Sequence, residues 1–98
     1  MNCQAEFAPE QLGPIIKVET EEDVDLNSAI ELAKQAARER VEEPMMLAWY
    51  EPATGRFSPP VECCSHEKPG WVVYAQNRGG DLAVEVGQGD YYFIFGSG

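Results

Sequence analysis

The chain has 98 residues, with 17 Asp and Glu against 7 Lys and Arg, and a formal net charge of −10. At this length folding hides roughly 60% of the surface of the unfolded chain, enough for one modest core and not for two. The hydrophobic content of 44% and the aromatic content of 10% belong to a globular chain rather than a disordered one. The acidity argues against nucleic acid and anionic membrane surfaces as partners, because binders of phosphates gather Lys and Arg.

Residues 1–13 mix Gln, Glu, Ala, Pro and Gly without a period and read as a flexible tail, with a single domain over residues 14–98. Met1 to Gly13 contains neither a basic residue nor an apolar run of signal-peptide length, and the longest apolar run, Met45 to Tyr50, is too short to span a bilayer. Three cysteines, two of them adjacent, do not make the spaced framework of a small secreted domain. A cytoplasmic location is therefore expected.

Pro14 opens a short β-like stretch, Ile15-Ile16-Lys17-Val18, followed by the acidic run from Glu19 to Asp23. Leu26, Ile30, Ala33, Ala37 and Val41 then recur at helical spacing, with the capping-type residues Asp23, Asp25, Asn27 and Ser28 at the start and Pro44 as the latest stop. Asp23 to Asn27 imitates the opening of a calcium loop, but Ser28 and Lys34 stand where that loop needs Gly and Glu. A helix N-terminus explains it better. Lys34, Arg38 and Arg40 alternate with Glu31, Glu39, Glu42 and Glu43 and read as a solvated helix face.

After Pro44 the segments Met45–Glu51, Phe57–Glu62, Trp71–Asn77, Asp81–Val86 and Tyr91–Phe95 read as strands, the second of them weakly. Arg78-Gly79-Gly80 and Gly87-Gln88-Gly89-Asp90 read as hairpin turns, so the last three strands are expected to form an antiparallel meander. Leu82, Val84 and Val86 supply an inward face for the helix stripe. The expected fold is α+β: one helix packed on a mostly antiparallel sheet of four to five strands, in the order β-α-β-β-β-β. Strand alternation further sends some of Tyr50, Tyr74 and Tyr92 away from the core aromatics, which would make an interaction surface on the second sheet face.

Chemistry concentrates in Glu62-Cys63-Cys64-Ser65-His66, which holds two of the three cysteines and the lone histidine. In an extended chain Glu62, Cys64 and His66 share one side; in a polyproline II conformation carried on from Pro59-Pro60, Cys63 and His66 align instead. Either pairing could lower a thiol pKa for nucleophilic or redox work, and thiolate, imidazole and carboxylate together suit zinc or iron. Adjacent cysteines nevertheless diverge where metal hooks converge, and nothing in the sequence marks an oxyanion site. The plain alternative is one cysteine in the core and one in a surface loop beside His66.

Pro59-Pro60-Val61-Glu62-Cys63-Cys64, with Lys68-Pro69-Gly70-Trp71-Val72-Val73-Tyr74-Ala75 and Arg78-Gly79-Gly80-Asp81-Leu82, resembles a small prokaryotic family of unknown function over roughly Ile15 to Phe95. The resemblance implies a single α+β domain with a helix on an antiparallel sheet, and it carries no activity or catalytic residues. The leading expectation is a non-enzymatic module that needs no cofactor, binds a protein or a small ligand, and could pair as a homodimer through a sheet face or edge. Its competitor is a thiol or metal site at Glu62, Cys63, Cys64 and His66.

Overall fold

The computed structural model describes residues 12–20, 24–58 and 70–97. Along the chain lie β1 (Ile15–Val18), α1 (Leu26–Arg38), β2 (Pro44–Glu51), β3 (Arg56–Ser58), α2 (Gly70–Gln76), β4 (Gly80–Val86) and β5 (Tyr91–Ser97). The strands form one sheet in the order β1-β4-β5-β2-β3. Three of the neighbouring pairs are antiparallel and β1 with β4 is parallel, so the α+β class and the mostly antiparallel sheet are as expected.

The α1 helix starts where the capping chemistry put it. The Asp25 side chain accepts a 2.8 Å bond from the Ser28 amide, satisfying one of the donors that a helix start leaves free. Its buried face is Ala29, Ala33, Ala36 and Ala37, while Leu26 and Ile30 flank it half-buried. Small side chains on the helix match large ones on the sheet: Tyr91, Phe93 and Phe95 lie beneath, with Val84 and Val86 beside them. Neighbouring ring centroids along β5 are 6.3 and 6.4 Å apart. Fully burying Phe93 or Phe95 contributes about 1.5–3 kcal/mol each.

The stretch at Trp71 corrects the expected order of elements along the chain. It is a helix, so the chain runs β-α-β-β-α-β-β, and Arg78-Gly79 ends α2 rather than turning a hairpin. Gly79 takes φ +82°, a left-handed value suited to the residue after a helix, and its amide reaches back to the Gln76 carbonyl. The three-strand meander reduces to one hairpin, β4–β5, closed by Gly87-Gln88-Gly89-Asp90. Aromatic and β-branched residues favoured a strand at Trp71–Asn77, but a place on the second sheet face overrides that preference. Trp71, Val72 and Ala75 bury themselves against Ala48 and Ile94, with Leu12, Leu47 and Tyr50 around them. Leu12, from the stretch read as a tail, thus packs on this second core.

Two bulges face β5 at one level. Leu47 is the extra residue between Met46 and Ala48 on β2, and Asp81 is the extra residue between Gly80 and Leu82 on β4. The β2 bulge lets Met46 pack toward α1 while Leu47 and Ala48 serve the α2 side. Here the backbones close up: a Cβ on Gly80 would stand 2.7 Å from the Ala75 carbonyl oxygen and from Ile94 Cγ2. Glycine is the residue that this approach of α2 to β4 permits.

Candidate functional site

Cross-strand register places Lys17, Glu85, Tyr92, Tyr50 and Phe57 in a single transverse row, one residue from each strand, on the face opposite α1. The α2 helix covers one part of this row. The Trp71 ring stacks on Tyr50 at 5.2 Å between centroids and 18° between planes. At the other end Lys17 is exposed and Glu85 half-buried, and they border a cleft of about 310 Å³. Glu19, Gly87, Gln88, Gly89 and Tyr92 complete its lining.

The hairpin turn shapes the cleft. Gly87 and Gly89 have φ of +75° and +86°, where other residues are strained. A Cβ on Gly87 would run into the Asp90 carboxylate, and one on Gly89 would come within 3.3 Å of the Tyr92 hydroxyl. The Gly87 amide donates to the Val18 carbonyl at 2.8 Å, tying the turn to the end of β1. Tyr92 itself is 6% exposed, so its ring forms the floor of the cleft rather than a projecting surface.

A second polar group closes the opposite face. Glu51 Oε1 accepts from Thr54 Oγ1 at 2.7 Å, Arg56 Nε at 2.9 Å and Arg56 Nη2 at 2.7 Å. The Thr54 hydroxyl and then the Arg56 guanidinium hold the Glu51 carboxyl below its usual range. The Tyr91 hydroxyl donates to the Val24 carbonyl at 3.1 Å, fastening β5 to the lead-in of α1. Burial, followed by the neighbouring Glu51 carboxylate, pushes the Tyr91 phenol up. Every hydrogen bond in this group serves the β2–β3 hairpin or the helix start, so it reads as a structural clasp.

The residues singled out from the sequence meet different fates. Tyr50 is half-buried under Trp71, Tyr74 stands on α2 with the Arg78 guanidinium 3.8 Å over its ring, and Tyr92 is buried. They do not form one open aromatic sheet surface, because α2 occupies part of that face and carries Tyr74 away from the sheet. Glu62, Cys63, Cys64 and His66 lie outside the described residues. Among the described residues no three His, Cys, Asp or Glu side chains gather as a metal site. Nothing in the sequence marks Lys17, Glu19, Glu85 and Gln88 as site residues. Lys17 and Glu85 look like ordinary solvent-facing positions of their strands, and only the parallel β1–β4 pairing brings them together.

The molecule is thus a small α+β domain, a five-stranded mixed sheet with α1 on one face and α2 over part of the other. The chain belongs to the DUF5619 family, a domain of unknown function whose model matches residues 14–95. An uncharacterised protein of Archaeoglobus fulgidus is 40% identical over 78 residues, which cover 80% of this chain and 82% of that protein. A crystal structure from Archaeoglobus fulgidus DSM 4304, described as that of a novel protein, superposes with a TM-score of 0.74 at 32% identity, covering 86% of this chain and 93% of the other. Both relatives are prokaryotic, as the resemblance implied, and neither brings an activity with it. Among the described residues no helix is long and apolar enough to cross a membrane.

Proposed function

We propose that this domain is a cytoplasmic, non-enzymatic binding module whose ligand is a small polar molecule seated in the cleft between β1, β4 and the β4–β5 turn. The observation that carries the reading is the half-covered second sheet face. The apolar end of the transverse row is sealed by Trp71, while among the described residues none covers the polar end, which lies over a buried tyrosine floor. A concavity of about 310 Å³ lies at the lower end of the range of small-molecule sites, and its lining combines an aromatic surface with a few charged and amide groups that can orient a ligand. A small ligand suits this place better than a protein, because the three tyrosines expected at a protein interface do not share one open face: Tyr92 is buried, Tyr50 stacks on Trp71 and Tyr74 lies beneath the Arg78 guanidinium.

The test is a screen of small polar metabolites by amide proton–nitrogen correlation spectra. Saturable shifts at Gly87, Gly89 and Tyr92, lost in Lys17→Gln or Glu85→Gln while both variants keep their fold, are the expected result. A screen that moves none of these amides sinks the proposal.

A further inference from the structure

Lys17 and Glu85 are direct partners across the β1–β4 ladder, the arrangement in which opposite charges ordinarily attract one another. Yet among the described residues the ion pair formed is Glu51 with Arg56, and Lys17 and Glu85 make none. The space between and beyond them is the cleft, which a second carboxylate, Glu19, also borders. The lining therefore presents one positive and two negative side chains, Lys17 beside Glu85 on neighbouring strands and Glu19 just past the end of β1, none of them joined in an ion pair among the described residues. Separated charges of both signs are complemented by a ligand that carries both. Their surplus of one negative charge is complemented by a ligand carrying one positive charge more than negative.

We infer that the cleft takes a cationic zwitterion of the basic amino-acid type, with its carboxylate on Lys17, its two cationic groups on Glu85 and Glu19, and its alkyl chain along the Tyr92 ring. This rests on the reading of the cleft as the ligand site. The roles follow from chemistry. An ammonium such as Lys17 offers donors to a carboxylate, whereas Glu85 and Glu19 accept from ammonium or guanidinium groups. A charge of −10 on the chain as a whole adds attraction for a net cation.

The experiment titrates the intact chain at fixed ionic strength with L-arginine and L-lysine, beside agmatine, which lacks the carboxylate, and norleucine, which lacks the side-chain cation. Amide shifts at Gly87, Gly89 and Tyr92 are the readout. Arginine or lysine should saturate these shifts, with agmatine and norleucine each weaker by about tenfold or more, the loss of one charge-assisted contact. Lys17→Gln should abolish the preference for arginine over agmatine, and Glu85→Gln should weaken both; unchanged dispersion of the remaining amides shows that the variants are folded. Equal binding of arginine and agmatine would overturn the role of Lys17, and no saturation by either amino acid would overturn the inference. If both amino acids fail while another metabolite shifts the same amides, the cleft is a binding site for different chemistry. If nothing shifts them, the binding reading falls as well.

Discussion

The ring of Trp71 lies nearly parallel to that of Tyr50, 5.2 Å away, and joins the first turn of α2 to the end of β2. Trp71 is 2% exposed, so this contact, with Val72 and Ala75 behind it, is what holds α2 against the second sheet face.

Trp71→Ala should therefore cost about 3–5 kcal/mol, the usual penalty for emptying a large aromatic site. That is a large share of the roughly 5–15 kcal/mol expected for a domain of this size. Tyr50→Leu, which keeps apolar contact but removes the stack, should cost about 0.5–1.5 kcal/mol. Urea denaturation measures both. A Trp71→Ala loss below about 1 kcal/mol would show that α2 does not dock as described.

Gly80→Ala should destabilise more than Gly96→Ala. The first places a Cβ 2.7 Å from the Ala75 carbonyl oxygen and Ile94 Cγ2; the second meets the Gly79 carbonyl oxygen and Leu47 Cδ1 at 3.1 Å, and Leu47 can yield. Overpacking of the first kind costs about 1–3 kcal/mol. Thermal melts of the two variants give the order directly, and a reversed order would contradict the close packing of α2 on β4.

The Glu51 clasp predicts a loss of stability in acid. Its carboxyl is held below the ordinary 4.5, so the unfolded chain takes up the proton first as pH falls. The stabilisation is complete above the unfolded value and disappears as pH drops through the lower folded one. Asp25, lowered by the Ser28 amide from 3.8, adds to the same trend. Glu51→Gln should be less stable than the parent chain at neutral pH, with the gap closing toward pH 3. Denaturation midpoints across that span check it, and a gap independent of pH would sink it.

Tyr91 gives the opposite sign. Its phenol is pushed above the ordinary 10, so the folded state favours the neutral form. That contribution is complete below pH 10 and declines as pH rises through the raised folded value. Tyr91→Phe should lose about 0.5–1.5 kcal/mol at neutral pH with the Val24 hydrogen bond, and should lose less additional stability than the parent chain in alkali.

The thiol or metal alternative is decided by composition rather than geometry. A non-enzymatic cleft binder purified under reducing conditions should carry no stoichiometric zinc or iron, and Cys64→Ser and His66→Ala should retain cleft binding. Elemental mass spectrometry that finds near-stoichiometric metal, lost in Cys64→Ser, would move the site to Glu62, Cys63, Cys64 and His66.

Local chemistry was legible where it answers to local physics. The α1 stripe and its Asp25 cap, the strand alternation of Leu82, Val84 and Val86, and the glycine turn at Gly87–Gly89 all follow from periods and φ preferences that neighbouring residues set for themselves. These were enough for an α+β domain with a helix on a mostly antiparallel sheet. Trp71 to Ala75 was not legible in the same way. Its short run of aromatic and β-branched residues suits a strand or a buried helix, and the choice depends on Ala48, Ile94 and Tyr50, which lie far off in the chain. The Pro69-Gly70 pair before it and Gly79 after it were the punctuation that could have favoured a helix. The cleft was still further from view. Lys17 and Glu85 are separated by most of the chain, and a parallel pairing between an early and a late strand is set by the sum of long-range packing. Sequence alone determined the elements that each segment could form; tertiary structure decided which face α2 covers and, through the β1–β4 pairing, which charged residues meet, because burial and pairing are properties of contacts and not of neighbours in the chain.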